Sequence, residues 1–361
     1  MNTLIVINQE VEYSKEYINY IKREYEKSSK IITNTIIINE TDKDLFLIIK
    51  SAIMLSKTML IVASKRSFAI VGKFFCTLSD SQLEQKENML LPKKAELFEI
   101  NSYLITINNC LTNVVLASLE KNLPKILIHK KTAVLKLNLF GIEPQDAQTL
   151  LHEASEIYHT KIESYKHIGG WTILNLYTNI SSDINHFLDY CESLFPNKII
   201  IADDVVEHIV LRLTKLGKKI TFAESCTGGR VASLFTKVSG SSAVFEGSMV
   251  TYSNEIKSSW LGVNKSSLIS FGAVSTTVVE EMAIGAINKS NADYSLAISG
   301  VAGPSGGTVE KPIGTVYIAA ANKENTIMSE RLSLVGDREL IQIASAYNAI
   351  RLLIMTNLEL F

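Results

Sequence analysis

Apolar residues at 3–8, 30–38 and 57–63 come in short continuous runs, and between them, at about 11–29 and 41–56, they recur every three to four positions. The runs predict strands and the intervening period predicts helices, so the chain opens as an α/β unit with parallel strands. Runs at 102–108 and 125–129 extend that sheet. Strand patterns at 133–140 and 172–177 alternate with helical patterns at 144–159 and 183–194, an α+β arrangement, and Phe195-Pro-Asn-Lys198 is the joint after it. From there the pattern gives a helix at 203–216, a strand at 219–223, a helix at 230–238, a strand at 243–252 and a short helix from Glu255. A helix at 276–289, a strand at 293–299, strands at 313–321 and 326–335, and a helix at 338–355 complete it. The last two strands are neighbours in sequence, which predicts a hairpin and a mixed sheet. The expected domains are 1–130, 131–198 and 199–361.

Glycine sharpens this division. Residues 1–200 hold only Gly72, Gly141, Gly169 and Gly170 of the 18 glycines. Tight turns and phosphate cradles use glycine, so the chemistry is expected in the last domain. A 47% apolar content and a formal charge of -1 over 361 residues describe a globular protein with no basic excess for nucleic acid. Lysines interrupt the most apolar stretch, 45–71, and the N-terminus reads as a first strand, so neither a membrane partner nor a signal peptide is expected and the cytoplasm is the expected location. Cys76, Cys110, Cys191 and Cys226 lie too far apart for a metal or redox motif, and no metal site is expected.

The stretch Thr221-Phe-Ala-Glu-Ser-Cys-Thr-Gly-Gly229 carries the strongest chemical signal: a strand runs out into a hydroxyl, a thiol and two glycines before a helix begins. A helix start offers unpaired N–H groups and a partial positive charge, which suit an oxyanion or a phosphate. Ser225 and Cys226 compete as nucleophile; alternatively, Ser225 or Thr227 only caps the helix. The one histidine of this domain, His208, precedes the strand on an amphipathic helix and reads as structural. Lys257, in the first turn of the helix after Tyr252, is the alternative base, because the helix dipole and partial burial lower an ammonium pKa. Tyr252 can relay a proton or orient the lysine; a surface pair of Lys257 with Glu255 is the competing assignment. Ser299, the amides from Gly300 onward and Arg338 can hold a phosphate or carboxamide, and Ser242 can join a proton network.

In combination, Glu224-Ser-Cys-Thr-Gly-Gly229, Gly240-Ser-Ser-Ala243, Val250-Thr-Tyr-Ser-Asn-Glu-Ile-Lys257, Gly272-Ala-Val-Ser275, Ile298-Ser-Gly-Val-Ala-Gly-Pro304, Lys311-Pro-Ile-Gly-Thr315 and Gly336-Asp-Arg338 resemble the C-terminal domain of the competence/damage-inducible CinA proteins over roughly residues 200–357. The resemblance implies a three-layer α/β/α domain with a mixed sheet and hydrolysis of nicotinamide mononucleotide to nicotinate mononucleotide and ammonia, without a cofactor. It implies Ser225 as nucleophile and Lys257 as base, assisted by Ser242 and Tyr252, with Ser299 and Arg338 on the substrate. Amides around Thr227, Gly228 and Gly229 then hold the oxyanion. A homodimer is the expected working form. The front part resembles the family's molybdopterin-binding-like N-terminal domain less closely: where a glycine-rich loop should follow strand 57–63 stands Ser64-Lys-Arg-Ser-Phe68, and the early Gly-Asp-Glu is Asn8-Gln-Glu10. That domain is expected to have lost pyrophosphatase activity. A nucleotide pyrophosphatase and a non-catalytic competence-related binding protein are the alternatives.

Overall fold

Strands β1 (Asn2–Ile7) and β3 (Thr58–Ala63) are apolar almost throughout because both faces of their sheet are covered. The computed structural model describes residues 1–28, 31–128, 134–178, 181–324, 326–357 and 359–361, and divides into Met1–Lys131 and Thr132–Phe361. Ser29, Lys30, His129 and Ala133, which begin or end expected elements, and the expected boundary at 130/131 lie outside the described residues.

The first unit continues with α1 (Gln9–Glu12), α2 (Lys15–Ser28), β2 (Asn34–Ile37), α3 (Leu45–Leu55), α4 (Lys65–Leu78), a hairpin of β4 (Leu83–Lys86) and β5 (Met89–Pro92), then β6 (Leu97–Glu99), β7 (Ser102–Ile107) and β8 (Cys110–Leu116). Its sheet runs β2-β1-β3-β8-β7-β6, parallel up to β8 and antiparallel beyond. Strand alternation sends Leu4 and Val6 into a core with Ile21 and Tyr25, and Ile5 and Ile7 into one with Ile49 and Phe75. Residues 125–128 form no strand: the Leu127 amide donates to the buried Asn113 Oδ1 (2.7 Å) instead of joining a ladder. Inside the sheet, between β3 and β7, β8 takes a place the apolar pattern does not predict, because Thr112 and Asn113 interrupt its apolar run.

The second unit opens with β9 (Val134–Phe140), α5 (Pro144–Ile157), β10 (Lys161–Ile168), β11 (Trp171–Tyr177), α6 (Ile184–Leu194) and β12 (Ile199–Ile201). The order β10-β11-β9-β12, antiparallel throughout, is that of a split βαβ sheet. β10 escaped the pattern reading because Lys161-Ile-Glu-Ser-Tyr-Lys-His-Ile168 is largely polar and half exposed.

The second sheet of this unit runs β14-β13-β15-β16-β17, with β13 (Ile220–Glu224), β14 (Phe245–Val250), β15 (Tyr294–Gly300), β16 (Thr315–Asn322) and β17 (Ile327–Ser333). β14 and β15 both flank β13 in parallel, while β15-β16 and β16-β17 are antiparallel. Helices α7 (Val205–Leu216), α8 (Arg230–Thr236) and α12 (Arg338–Thr356) cover one face, where Phe222, Leu296, Ile298 and Ile318 meet Ile209, Phe235 and Ile350. On the other face Ala223, Ala297 and Ala319 meet Leu261 of α9 (Asn254–Leu261) and Val278 and Met282 of α11 (Thr276–Ser290). A short α10 (Lys265–Phe271) joins those two helices. The arrangement is the expected three-layer α/β/α domain with a mixed sheet. From β13 the chain leaves over one face through α8 to β14, and returns over the other through α9–α11 to β15. The carboxyl end of β13 is therefore the crevice where the connections part.

Close packing on the alanine face fixes α9. A Cβ added at Gly285 of α11 would stand 2.0 Å from the Leu261 carbonyl oxygen. Gly285→Ala should cost about 1–3 kcal/mol or more, read as a lower denaturant midpoint; an unchanged midpoint refutes this close approach.

Candidate active site

Strand alternation decides which of the two candidate nucleophiles faces the crevice. Phe222 and Glu224 point to the α8 side and Ala223 to the α9 side, so the next residue, Ser225, follows Ala223. Ser225 Oγ lies 3.0 Å from Lys257 Nζ. Cys226 turns the other way, into the core beneath α8 and α12, where burial pushes its thiol up to about 12. A thiol so placed stays protonated at neutral pH and does not compete.

Lys257 is 1% exposed, and its hydrogen bonds explain its placement. Ser253 caps α9 through Oγ to the Ile256 amide (3.2 Å), which sets Lys257 in the first turn. Its Nζ donates to the Thr251 carbonyl (2.7 Å) and the Tyr252 carbonyl (3.3 Å), besides lying on Ser225. Among the described residues no carboxylate joins the group, so Lys257 does not pair with Glu255. Burial lowers the amine to about 8. Once neutral, the amine keeps two N–H bonds for the two carbonyls and turns its lone pair to the Ser225 hydroxyl, which then donates. That is the geometry of a general base.

The turn itself is built differently from expectation. Neither Ser225 nor Thr227 caps α8. The buried Glu224 carboxylate does so, accepting from the amides of Gly229 (3.0 Å), Val231 (3.1 Å) and Ala232 (3.0 Å) and from Ser248 Oγ (3.1 Å). Gly228 and Gly229, at φ +60° and +96°, fold the chain back over it. The helix start is thus already occupied by an anion of the chain's own, and the Gly229 amide is not free for an oxyanion. The signal for this was an acidic residue closing an apolar strand five positions before Gly229.

Other expected residues divide between the cluster and its surroundings. The Thr227 and Thr251 hydroxyls are buried without a hydrogen-bond partner among the described residues. Ser299 sits beside Ser225, whose amide donates to Ile298 O (3.0 Å), but its own hydrogen goes to Ala273 O (2.7 Å), so it faces a ligand only as an acceptor. Gly300 is a glycine because a Cβ there would meet Val316 Cγ2 at 2.7 Å and Thr315 O at 2.8 Å. Tyr252 contributes its carbonyl, not its phenol, to Lys257; the exposed phenol accepts from Arg338 Nη2 (3.0 Å), while Nη1 donates to Gly303 O (2.7 Å). Ser242 is not brought to the cluster within the chain. It is exposed in the 3-10 turn Ser241–Ala243 before β14, and the six-residue strand separates it from Thr251 by about 20 Å. His208 Nε2 lies 3.2 Å from Phe361 O, outside the cluster. Sequence reasoning also missed Gln342 of α12, whose Nε2 donates to Cys226 O (2.7 Å).

With this geometry established, similarity to known proteins bears on the same stretch. Residues 202–356 match the model of the CinA C-terminal domain. Over 142 residues the chain is 48% identical to the nicotinamide-nucleotide amidohydrolase PncC of Escherichia coli (strain K12), covering 39% of this chain and 86% of that protein. The chain belongs to the CinA family. A CinA-like protein of Prochlorococcus marinus (strain AS9601) is 43% identical over 161 residues, 43% of this chain and 38% of its own length. The match thus spans well under half the length of that CinA relative. The crystal structure of a competence/damage inducible protein from Agrobacterium tumefaciens is 38% identical, with a TM-score of 0.42, over 42% of this chain and 93% of its own.

The depressed Lys257 ammonium has a stability signature. Unfolded, the amine binds its proton up to 10.5; folded, only up to about 8. Between these values the unfolded chain holds the extra proton, so wild-type stability relative to Lys257→Met should rise with pH by roughly 3 kcal/mol. Paired urea melts on either side of this window measure it, and a pH-independent difference refutes the buried, depressed amine.

Proposed function

We propose that this CinA family member hydrolyses the carboxamide of nicotinamide mononucleotide to nicotinate mononucleotide and ammonia, with Ser225 as nucleophile and Lys257 as base. The observation that carries the reading is the 3.0 Å approach of a buried amine to the Ser225 hydroxyl, with two carbonyls holding the other amine hydrogens. The 48% identity to an amidohydrolase of nicotinamide nucleotide supplies the substrate class.

Ser225 Oγ attacks the carboxamide carbon as its proton passes to Lys257 Nζ. The C–N bond of the tetrahedral intermediate then breaks, and the Lys257 ammonium protonates the departing amide nitrogen to ammonia. Water attacks the resulting ester, gives its proton to Lys257, and expels the serine, which recovers that proton. The proton count closes with one water consumed and no external acid. General acid–base help of this kind is worth about 10²–10⁴ in rate. Arg338, whose guanidinium bonds only to the neutral Gly303 carbonyl and Tyr252 phenol among the described residues, keeps its charge available for the substrate phosphate.

In the N-terminal unit, we propose that ADP-ribose is not turned over. The start of α4, where a phosphate loop would lie, is closed by a capping box: the Ser67 amide donates to Ser64 Oγ (3.1 Å) and the Ser64 amide to Ser67 Oγ (2.7 Å). The homodimer belongs to the same proposal, with the exposed Trp260, Ile269 and Phe271 of α9 and α10 as apolar surface for a second copy.

Purified protein should release ammonia from nicotinamide mononucleotide in the presence of chelator. Ser225→Ala and Lys257→Ala should each lower kcat by at least about 10²-fold. Full activity in either variant removes the assigned pair. Wild-type kcat should rise with pH as Lys257 deprotonates near 8 and then level off; a profile falling through this range refutes the base. Incubation of the full chain with ADP-ribose should yield no AMP, and turnover that survives Ser225→Ala would overturn the silent N-terminal unit.

A further inference from the structure

The Glu224 contacts raise a question that the proposed reaction must answer. A tetrahedral intermediate on Ser225 carries an oxyanion, and the Gly229, Val231 and Ala232 amides are all committed to a carboxylate. The Gly228 amide donates to Ser225 O (3.1 Å) and the Arg230 amide to Thr227 O (3.3 Å). The Thr227 amide has no hydrogen-bond partner among the described residues. Thr227 is 1% exposed, and its hydroxyl is likewise buried without a partner. Two polar groups of one residue are thus left without a protein partner among the described residues, which is unusual for a native interior.

Gln342 explains where the Thr227 amide points. Its Nε2 donates to the Cys226 carbonyl at 2.7 Å, on the face of the sheet covered by α12. The Cys226–Thr227 peptide is planar and trans, so its N–H is directed opposite to its carbonyl. Holding Cys226 O toward α12 turns the Thr227 N–H away from α12, toward the face on which Ser225 meets Lys257.

We infer that Gln342 is a positioning residue that fixes the Cys226–Thr227 peptide so that the Thr227 amide stabilises the oxyanion formed at Ser225. The inference rests on the amidase reading above and goes further than it, because it narrows the expected amides of Thr227, Gly228 and Gly229 to that of Thr227 and assigns a role to a side chain on the last helix. An amide held in advance needs no reorganisation when charge develops on the substrate oxygen, and that is the source of its effect.

The test separates donation from packing. Gln342→Leu and Gln342→Glu each remove the N–H donor, the second while keeping the side-chain shape, so misfolding of one does not end the test. Gln342→Lys restores a donor to the same carbonyl. Steady-state turnover of nicotinamide mononucleotide is measured beside the nitrophenolate burst from p-nitrophenyl acetate, which acylates a reactive serine without any nucleotide. Both donor-less variants should lose about 10²-fold in kcat with KM little changed, and the burst rate should fall in parallel. Gln342→Lys should recover most of that loss. Wild-type kcat in the donor-less variants, an effect on KM alone, or equal losses with and without a donor would overturn the assignment. A wild-type protein that releases no ammonia yet shows a burst with the expected order among the variants would sink the amidase reading and leave the Gln342 assignment standing. A wild type that reacts with neither compound overturns both.

Discussion

A buried carboxylate holds the carboxyl end of β13 in shape. Glu224 is inaccessible to solvent, and a charge there is tolerable only because the Gly229 amide, two α8 amides and the Ser248 hydroxyl satisfy its oxygens. The positive end of α8 adds to this. The consequence is geometric. With the helix start tied to the strand end, residues 225–229 have little freedom, and strand alternation carries through the turn to send Ser225 and Cys226 to opposite faces. One face holds a lysine and the other a hydrophobic core, so the same turn makes one side chain chemically useful and the other inert.

The lysine reaches Ser225 because the sheet is asymmetric. Large side chains, Phe222, Ile298 and Ile318, fill the α8 and α12 side, whereas Ala223, Ala297 and Ala319 line the other. Small residues let α11 settle close to the strands, and Gly285 then lets α9 settle close to α11. Lys257 rides on α9. Its burial and its lowered proton affinity follow from this packing, and the two carbonyls it meets belong to the chain just after β14, one and two residues beyond the Glu224–Val250 pair. Packing, register and helix capping therefore converge on one nitrogen.

Much of this was legible in advance, and the limits have physical causes. The CinA resemblance, the strand-turn-helix around Ser225 and the mixed three-layer sheet were readable because each is encoded locally, in a motif or an apolar period. Lys257 was found because a cap and a first-turn lysine leave a sequence trace. Polar strands such as β10, and β8 with the buried Asn113 inside it, do not read as strands because their ladders are made by the backbone while their polar side chains break the apolar alternation. Glu224 was passed over within its own motif, since a sequence does not reveal which anion fills a helix start. Gln342 left no signal at all: its partner is a backbone carbonyl more than a hundred residues earlier, and carbonyls carry no sequence identity.

The N-terminal unit puts the same logic to an opposite use. β3 also runs into a helix, and a helix start can serve as an anion site. At α4 the reciprocal bonds of Ser64 and Ser67 occupy that start, Ser67 Oγ also donates to Ile7 O (2.6 Å), and Ser64 Oγ donates to Glu40 (2.6 Å). Every one of these bonds is internal to the unit. At α8 the start is filled as well, but there the filling carboxylate leaves the Thr227 amide without a partner among the described residues, beside the Ser225 hydroxyl. What separates the two turns is therefore whether closure of the helix end leaves a polar group over, and of the two the β13 turn does so, next to a serine hydroxyl that meets a buried lysine.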